Sequence, residues 1–257
     1  MERRTSARVC MAFLALAGLL LPTAASGQGA TLSRLSLEVE AGPLWLTRNN
    51  VRIPPETGTG FSLLDLTGRG PDAFVRMTAT FRVADRHSLR LLVAPVQTNG
   101  RGTFDVPVSF VDQVFPAGVR TEGTFKFNTY RLTYGYTLRD DDAWRLQVGG
   151  AILTRDAKIE LRQGSKVARD TDLGLVPLAY FAAERSLGER ASLVFDLEGL
   201  GSPQGRALDG VLKLRVDLTD RWTAGVGYRT LEGGADVSSV YTFSWLHYGV
   251  LSLAYRF

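Results

Sequence analysis

The chain has 257 residues with 30 Lys and Arg against 26 Asp and Glu, a formal net charge of +4, and 45% hydrophobic residues. Glu2, Arg3, Arg4 and Arg8 account for +2 of that charge, so the remaining +2 gives no reason to expect a nucleic-acid partner. The single cysteine, Cys10, lies in the first residues, which excludes a disulfide framework, a cysteine metal site and a thiol nucleophile from the rest of the chain.

Arg3, Arg4 and Arg8 precede an apolar run from Val9 to Leu21, followed by Pro22 and the small residues Thr23 to Gly27. A basic segment, a short apolar segment and a small-residue segment in that order predict an export signal over residues 1–27, cleaved near 25–30. The apolar run is shorter than the ~20 residues a spanning helix needs. Residues 31–257 then form the mature domain.

Its residues fall into runs of roughly ten with period-two alternation. Ten strands are predicted, at about 35–48, 72–84, 88–98, 123–139, 143–156, 173–187, 190–201, 207–218, 222–232 and 241–257, with eight or twelve as alternatives. In the first, Glu38 and Glu40 interleave with Leu37 and Val39. In the second, Arg76, Thr78, Thr80 and Arg82 oppose Val75, Met77, Ala79 and Phe81. In the fourth, Thr129, Arg131 and Thr133 oppose Tyr130, Leu132 and Tyr134. The eighth sets Asp209, Lys213, Arg215 and Asp217 against Leu208, Leu212, Leu214 and Val216. The last places Tyr241, Phe243, Trp245, His247, Leu251, Leu253, Tyr255 and Phe257 on one face.

The connections alternate in kind. Asp85-Arg86-His87, Asp140-Asp141-Asp142, Gly188-Glu189 and Thr219-Asp220-Arg221 are tight polar turns. Between them lie longer segments, about 49–71, 99–122, 157–172, 202–206 and 233–240. Short turns at one rim and long loops at the other predict an all-β, closed, antiparallel up-and-down transmembrane barrel. Trp45, Trp144, Trp222 and Trp245 fall near the predicted strand ends, where an interfacial girdle would hold them.

The ending Leu251, Leu253, Tyr255, Phe257 resembles the terminal signature of bacterial outer-membrane β-barrel proteins of the small porin-like or OmpA/OmpW-like kind. The resemblance implies location in the outer membrane, outer-membrane lipid as surroundings, and periplasmic chaperones and the barrel-assembly machinery as partners during biogenesis, with the last strand as the insertion signal. It identifies a class and names no function.

Alternation points Glu38, Glu40, Glu184, Asp196, Glu198, Asp209 and Asp217 inward, against Arg76, Arg82, Arg90, Arg131, Arg145, Arg155, Lys213, Arg215, Arg229 and Arg256. Charges held away from water must pair, so an interlocked, largely plugged polar lumen is expected. Because basic residues outnumber acidic ones, a narrow, anion-preferring small-solute channel is the rival reading.

The first two long segments carry apolar residues: Phe61, Leu63, Leu64 and Leu66 in one, Phe104, Phe110 and Phe115 in the other. They are expected to extend strands beyond the membrane, with a cap over the mouth, a lumenal plug and an apolar-ligand surface as alternatives. His87 and His247 have no Ser or Asp setting suited to hydrolysis, so no catalytic residues and no enzyme are expected. No cofactor and no metal is expected either: Asp140 to Asp142, and Asp170 with Asp172, read as solvated turns.

Overall fold

The computed structural model describes residues 34–257; the predicted export signal lies outside them. Ten long strands close into one barrel. In chain order they are β1 (Leu35–Arg52), β3 (Asp72–Ala84), β4 (His87–Ala94), β8 (Thr121–Asp140), β9 (Trp144–Gln163), β10 (Lys166–Ser186), β11 (Ala191–Ser202), β12 (Gly205–Asp217), β13 (Trp222–Val237) and β14 (Val240–Arg256). Each pairs antiparallel with its neighbour, and β14 returns to β1 from Ser36↔Arg256 to Arg52↔Tyr241. Closure leaves no open edge, which is what hydrocarbon surroundings demand of a sheet.

Short elements sit at one end: β2 (Phe61–Ser62) on β1, α1 (Leu64–Thr67), β5 (Gln97–Gly102) on β8, and the separate hairpin β6 (Val108–Phe110) with β7 (Gln113–Phe115). The strand expected over 88–98 breaks at Pro95, which has no N–H to give a ladder, and resumes as β5 against the same partner.

The outward side chains form the apolar belt. Leu37, Val39, Leu132, Ile152, Leu212 and Leu251 are all exposed on the outer face. Trp222 pairs with Tyr255 at the short-turn rim, whereas Trp245 and Trp45 lie partway along their strands, beside Arg48 and His247 respectively. From Tyr255 to Trp245 the strand climbs ten residues; at ~3.4 Å per residue and a tilt of ~40° this spans about 25 Å, the height of a barrel's lipid-facing band. The two tryptophan levels therefore mark the two interfaces. The expectation that all four tryptophans sit near strand ends holds for Trp144 and Trp222 only, because the other strands overrun the membrane.

The overrun is largest at β9 and β10. These remain paired from Arg185↔Trp144 to Lys166↔Gln163, far more than the ~10 residues a tilted strand needs to cross. Residues 157–172 and 233–240, expected as loops, are thus continuations of strands closed by tight turns. Gly164 supplies the positive φ (61°) that the β9–β10 turn requires.

Candidate functional site

The barrel interior has two layers. Towards the short-turn rim lies a set of charged side chains that cross the lumen. Asp209 of β12 accepts hydrogen bonds from Arg76 Nη2 of β3 (2.9 Å), Arg131 Nη2 of β8 (2.8 Å) and Arg229 Nη1 of β13 (2.6 Å). Glu40 of β1 accepts from Arg229 Nη2 (3.0 Å) and Lys213 Nζ (2.9 Å), while Lys213 also reaches Glu38 (2.5 Å). Glu198 of β11 accepts from Arg90 Nη2 (3.0 Å) and from the Thr133 hydroxyl (2.5 Å), and contacts Arg131; Arg90 also bridges to Asp196.

Five acids (Glu38, Glu40, Asp196, Glu198, Asp209) thus meet five bases (Arg76, Arg90, Arg131, Lys213, Arg229), a formally neutral set. Glu40, Arg76, Arg131, Glu198, Asp209 and Lys213 are each 5% exposed or less. Charges this far from water persist only when paired and hydrogen-bonded.

The other inward candidates lie apart from this set. Arg145 pairs with Asp140 (3.0 Å) near the short-turn rim, Arg215 with Glu184 (3.5 Å) and Asp217 with Arg256 (3.0 Å). Arg82 has no ion pair among the described residues. Arg155 donates from Nε to Asp172 (2.8 Å) well above the network, so Asp172 belongs to a strand and not to a turn.

Above the charges the interior turns apolar, a change the alternation pattern did not reveal. Leu44, Leu46, Val51, Phe74, Phe125, Leu161, Leu246 and Tyr248 point inward and pack as one cluster. The two long segments close over it. Leu63, Leu64 and Leu66, in and beside α1, join the cluster with Phe104, Val108, Phe110 and Phe115; Leu63, Phe110 and Phe115 have no exposed surface. Phe61 meets Phe104 edge-on at 5.4 Å and Phe110 at 5.9 Å.

These segments were expected to extend strands. Their first residues do so, 49–52 in β1 and 99–102 in β5, but the apolar parts fold back as a cap, because seven large apolar side chains lose water only by covering the apolar mouth. Close approach requires glycine: a Cβ on Gly100 would lie 2.2 Å from the Leu66 carbonyl oxygen, and one on Gly123 would lie 2.9 Å from Leu66 Cβ. The Tyr248 hydroxyl, where the two layers meet, is buried with no hydrogen-bond partner among the described residues.

His87 sits at the short-turn rim, its Nδ1 2.7 Å from the Tyr134 hydroxyl. His247 faces outward beside Trp245 (5.2 Å), with Nε2 2.8 Å from Thr47 Oγ1 and Nδ1 against the Tyr228 hydroxyl. Asp141 accepts from the backbone N–H groups of Ala143 (3.0 Å) and Trp144 (2.9 Å) and contacts Arg139. These bonds, the Arg139 contact foremost, hold its carboxyl below the usual range and make it a turn cap. No group of three potential metal ligands occurs among the described residues. At the C-terminus, Leu251, Leu253 and Phe257 face outward beside Tyr255, whose ring packs edge-on against Phe257 at 4.9 Å.

No protein-family profile matches the chain, and no curated relative does. Among solved structures, it is similar to the outer membrane protease OmpT of Escherichia coli (TM-score 0.51, 10% identity, 90% of this chain and 99% of that one). Lower scores relate it to an outer membrane channel of Pseudomonas putida F1 (0.40, 8% identity, 90% and 100% covered) and to the translocator domain of the autotransporter NalP of Neisseria meningitidis (0.39, 11% identity, 97% and 96% covered). The likeness to OmpT is one of fold: the chain is a closed antiparallel barrel of the outer-membrane class.

Proposed function

We propose that this protein resides in the outer membrane as a closed-lumen barrel without catalytic function, and acts through the structure it projects beyond the outer interface, as a structural or surface-interaction protein. The observation that carries this reading is the neutral ion-pair set joining opposite walls of the lumen at Asp209 and Glu198. A solute passing through would have to separate buried pairs, each costing several kcal/mol to break. The capped mouth places a second, apolar barrier above the first.

The excess of inward basic residues that favoured an anion channel does not extend to the constriction. The other inward arginines lie outside it: Arg145, Arg215, Arg155 and Arg256 pair with Asp140, Glu184, Asp172 and Asp217, and Arg82, near the short-turn end of β3, has no ion pair among the described residues. The cap's apolar side chains are packed against one another, which supports a sealing role over an apolar-ligand pocket. The two histidines lie on the outer wall and at the short-turn rim, away from the mouth, which supports a non-enzymatic reading.

Solute-swelling of proteoliposomes carrying the folded protein tests the proposal. Vesicles that remain osmotically tight to small sugars and amino acids are expected. Swelling at a rate proportional to protein content would favour the channel.

A further inference from the structure

Outside the barrel, at and just above the outer tryptophan level, one sector carries arginines that have no acidic partner among the described residues. Their placement begins with a β-bulge. β1 and β14 stay in register to Leu46↔Leu246, then resume at Arg48↔Trp245, so Thr47 is the extra residue. A bulge re-aims the side chains beyond it. Before it, Leu44 and Leu46 face the lumen; after it, Asn49 and Val51 do, and Arg48 and Arg52 turn outward. Without the bulge those two guanidinium groups would enter the apolar layer.

Arg48 lies over the Phe243 ring at 5.3 Å, and Arg206 of β12 lies over the same ring at 5.3 Å; Arg52 lies 5.9 Å from the Tyr241 ring. Arg69, exposed in the segment after α1, donates to the Thr47 carbonyl (3.1 Å), which brings it to the bulge. Arg206 pairs with Glu232 (2.5 Å), and Asp236 lies opposite Tyr241 on β13. Arg48, Arg52 and Arg69 form no ion pair among the described residues.

At this height the pattern is particular to the β1–β14 sector; Arg101, Arg120 and Arg169, which also form no ion pair among the described residues, lie farther out on the projecting segments. Above the interface on the opposite wall, Lys126 pairs with Asp156 (2.7 Å) and Lys158 with Glu160 (3.3 Å). Arg48 and Arg52 occupy register positions level with Trp245 and Tyr241, four residues apart, hence within about 10 Å above the outer interface. That is headgroup depth. Guanidinium forks bind phosphate oxygens in pairs, and aromatic rings beside them suit the boundary between headgroup and acyl chain.

From this placement we infer that the Arg48–Arg52–Arg69 ledge, with Phe243 between the levels of Arg48 and Arg52 and Trp245 at its lower edge, is a docking site for a phosphate-bearing lipid of the outer leaflet. The lipid's phosphates face the arginines and its chains run down the outward face of β14 past Trp245 and Leu251. Charge complementarity selects this occupant over a neutral lipid.

The test uses the protein refolded in detergent micelles and titrated with a bisphosphorylated acyl disaccharide (lipid A), with retention counted by native mass spectrometry. Its dephosphorylated form is titrated in parallel. Arg48→Gln/Arg52→Gln/Arg69→Gln is compared with Arg101→Gln/Arg120→Gln/Arg169→Gln, which removes the same charge from the segments that project farther out. Heat-modifiable migration establishes that each variant is folded. The ledge variant is expected to bind at least about 10-fold more weakly, since each basic residue near a headgroup surface contributes about five-fold, while the control stays within two-fold of the unaltered protein. The dephosphorylated lipid should bind the unaltered protein as weakly as the phosphorylated lipid binds the ledge variant. Equal losses in both variants, or binding indifferent to the lipid's phosphates, overturns the inference. Displacement of the bound lipid by millimolar inorganic phosphate alone would also overturn it, by showing a free-anion site.

Discussion

Arg76 on β3 donates to Asp209 on β12 across 2.9 Å, although β1, β14 and β13 lie between them by the shorter way round the wall. The same carboxylate takes hydrogen bonds from Arg131 and Arg229, so one short side chain ties three walls of the barrel together. Asp209→Asn leaves three buried cations with one fewer countercharge. Removing one partner of a buried pair costs about 3–5 kcal/mol, and a loss of that size is expected in urea unfolding from lipid vesicles followed by tryptophan fluorescence.

Tyr248 offers a change of opposite sign. Its ring packs edge-on against Phe74 at 4.8 Å, but its hydroxyl is buried without a partner. Tyr248→Phe keeps the ring contact and removes an unsatisfied polar group, whose burial costs about 1–3 kcal/mol. Stability in the same unfolding assay is expected to stay level or rise by about 1 kcal/mol.

The cap can be loosened without disturbing the barrel. Phe110 has no exposed surface and lies against Phe61; truncating such a side chain costs about 3–5 kcal/mol. Because β6 and β7 pair only with each other, that loss falls on the cap. Phe110→Ala should raise amide exchange and protease cleavage over residues 104–119, while the amides of β11 to β14 stay protected.

Gly100→Val probes the same docking from the barrel side, since its first added carbon already lies 2.2 Å from the Leu66 carbonyl oxygen. Displacement of α1 is expected, seen as protease cleavage near Leu64–Thr67, with heat-modifiable migration unchanged.

Acid should loosen the projecting strands at a defined point. Asp156 accepts from Lys126 Nζ (2.9 Å) and Asn128 Nδ2 (3.2 Å), which hold its carboxyl below the ordinary value of 3.8, the Lys126 bond contributing most. A depressed carboxyl stabilises fully above its unfolded value, and that contribution is lost as pH falls through the folded value. Faster exchange in β8 and β9 near Lys126 is therefore expected only below about pH 4, and Lys126→Met should abolish the pH-dependent part.

Much of this architecture was legible because a barrel writes its register on alternate residues. In β14 the outward set from Trp245 to Phe257 could be read directly, and in β12 the charges on Asp209, Lys213 and Arg215 fixed the inner face. The apolar inner layer was not legible: Leu44, Leu46 and Leu246 alternate with Trp45, Thr47 and His247, so neither face looks polar. The bulge at Thr47 was hidden for a related reason. One inserted residue reverses inside and outside for the rest of a strand, and only the partner strand shows where it occurs. The cap residues were recognisable as out of place in loops, but their contacts join segments about fifty residues apart, from Phe61 to Phe110, which no local pattern encodes.

The most direct test of the proposed closed lumen is single-channel recording from the folded protein in planar bilayers, with heat-modifiable migration as proof of folding. A folded and electrically silent protein is predicted, because ion pairs at Asp209 and Glu198 join facing walls of the lumen. Discrete, reproducible openings with anion preference would contradict the account and make the inward arginines the lining of a pore.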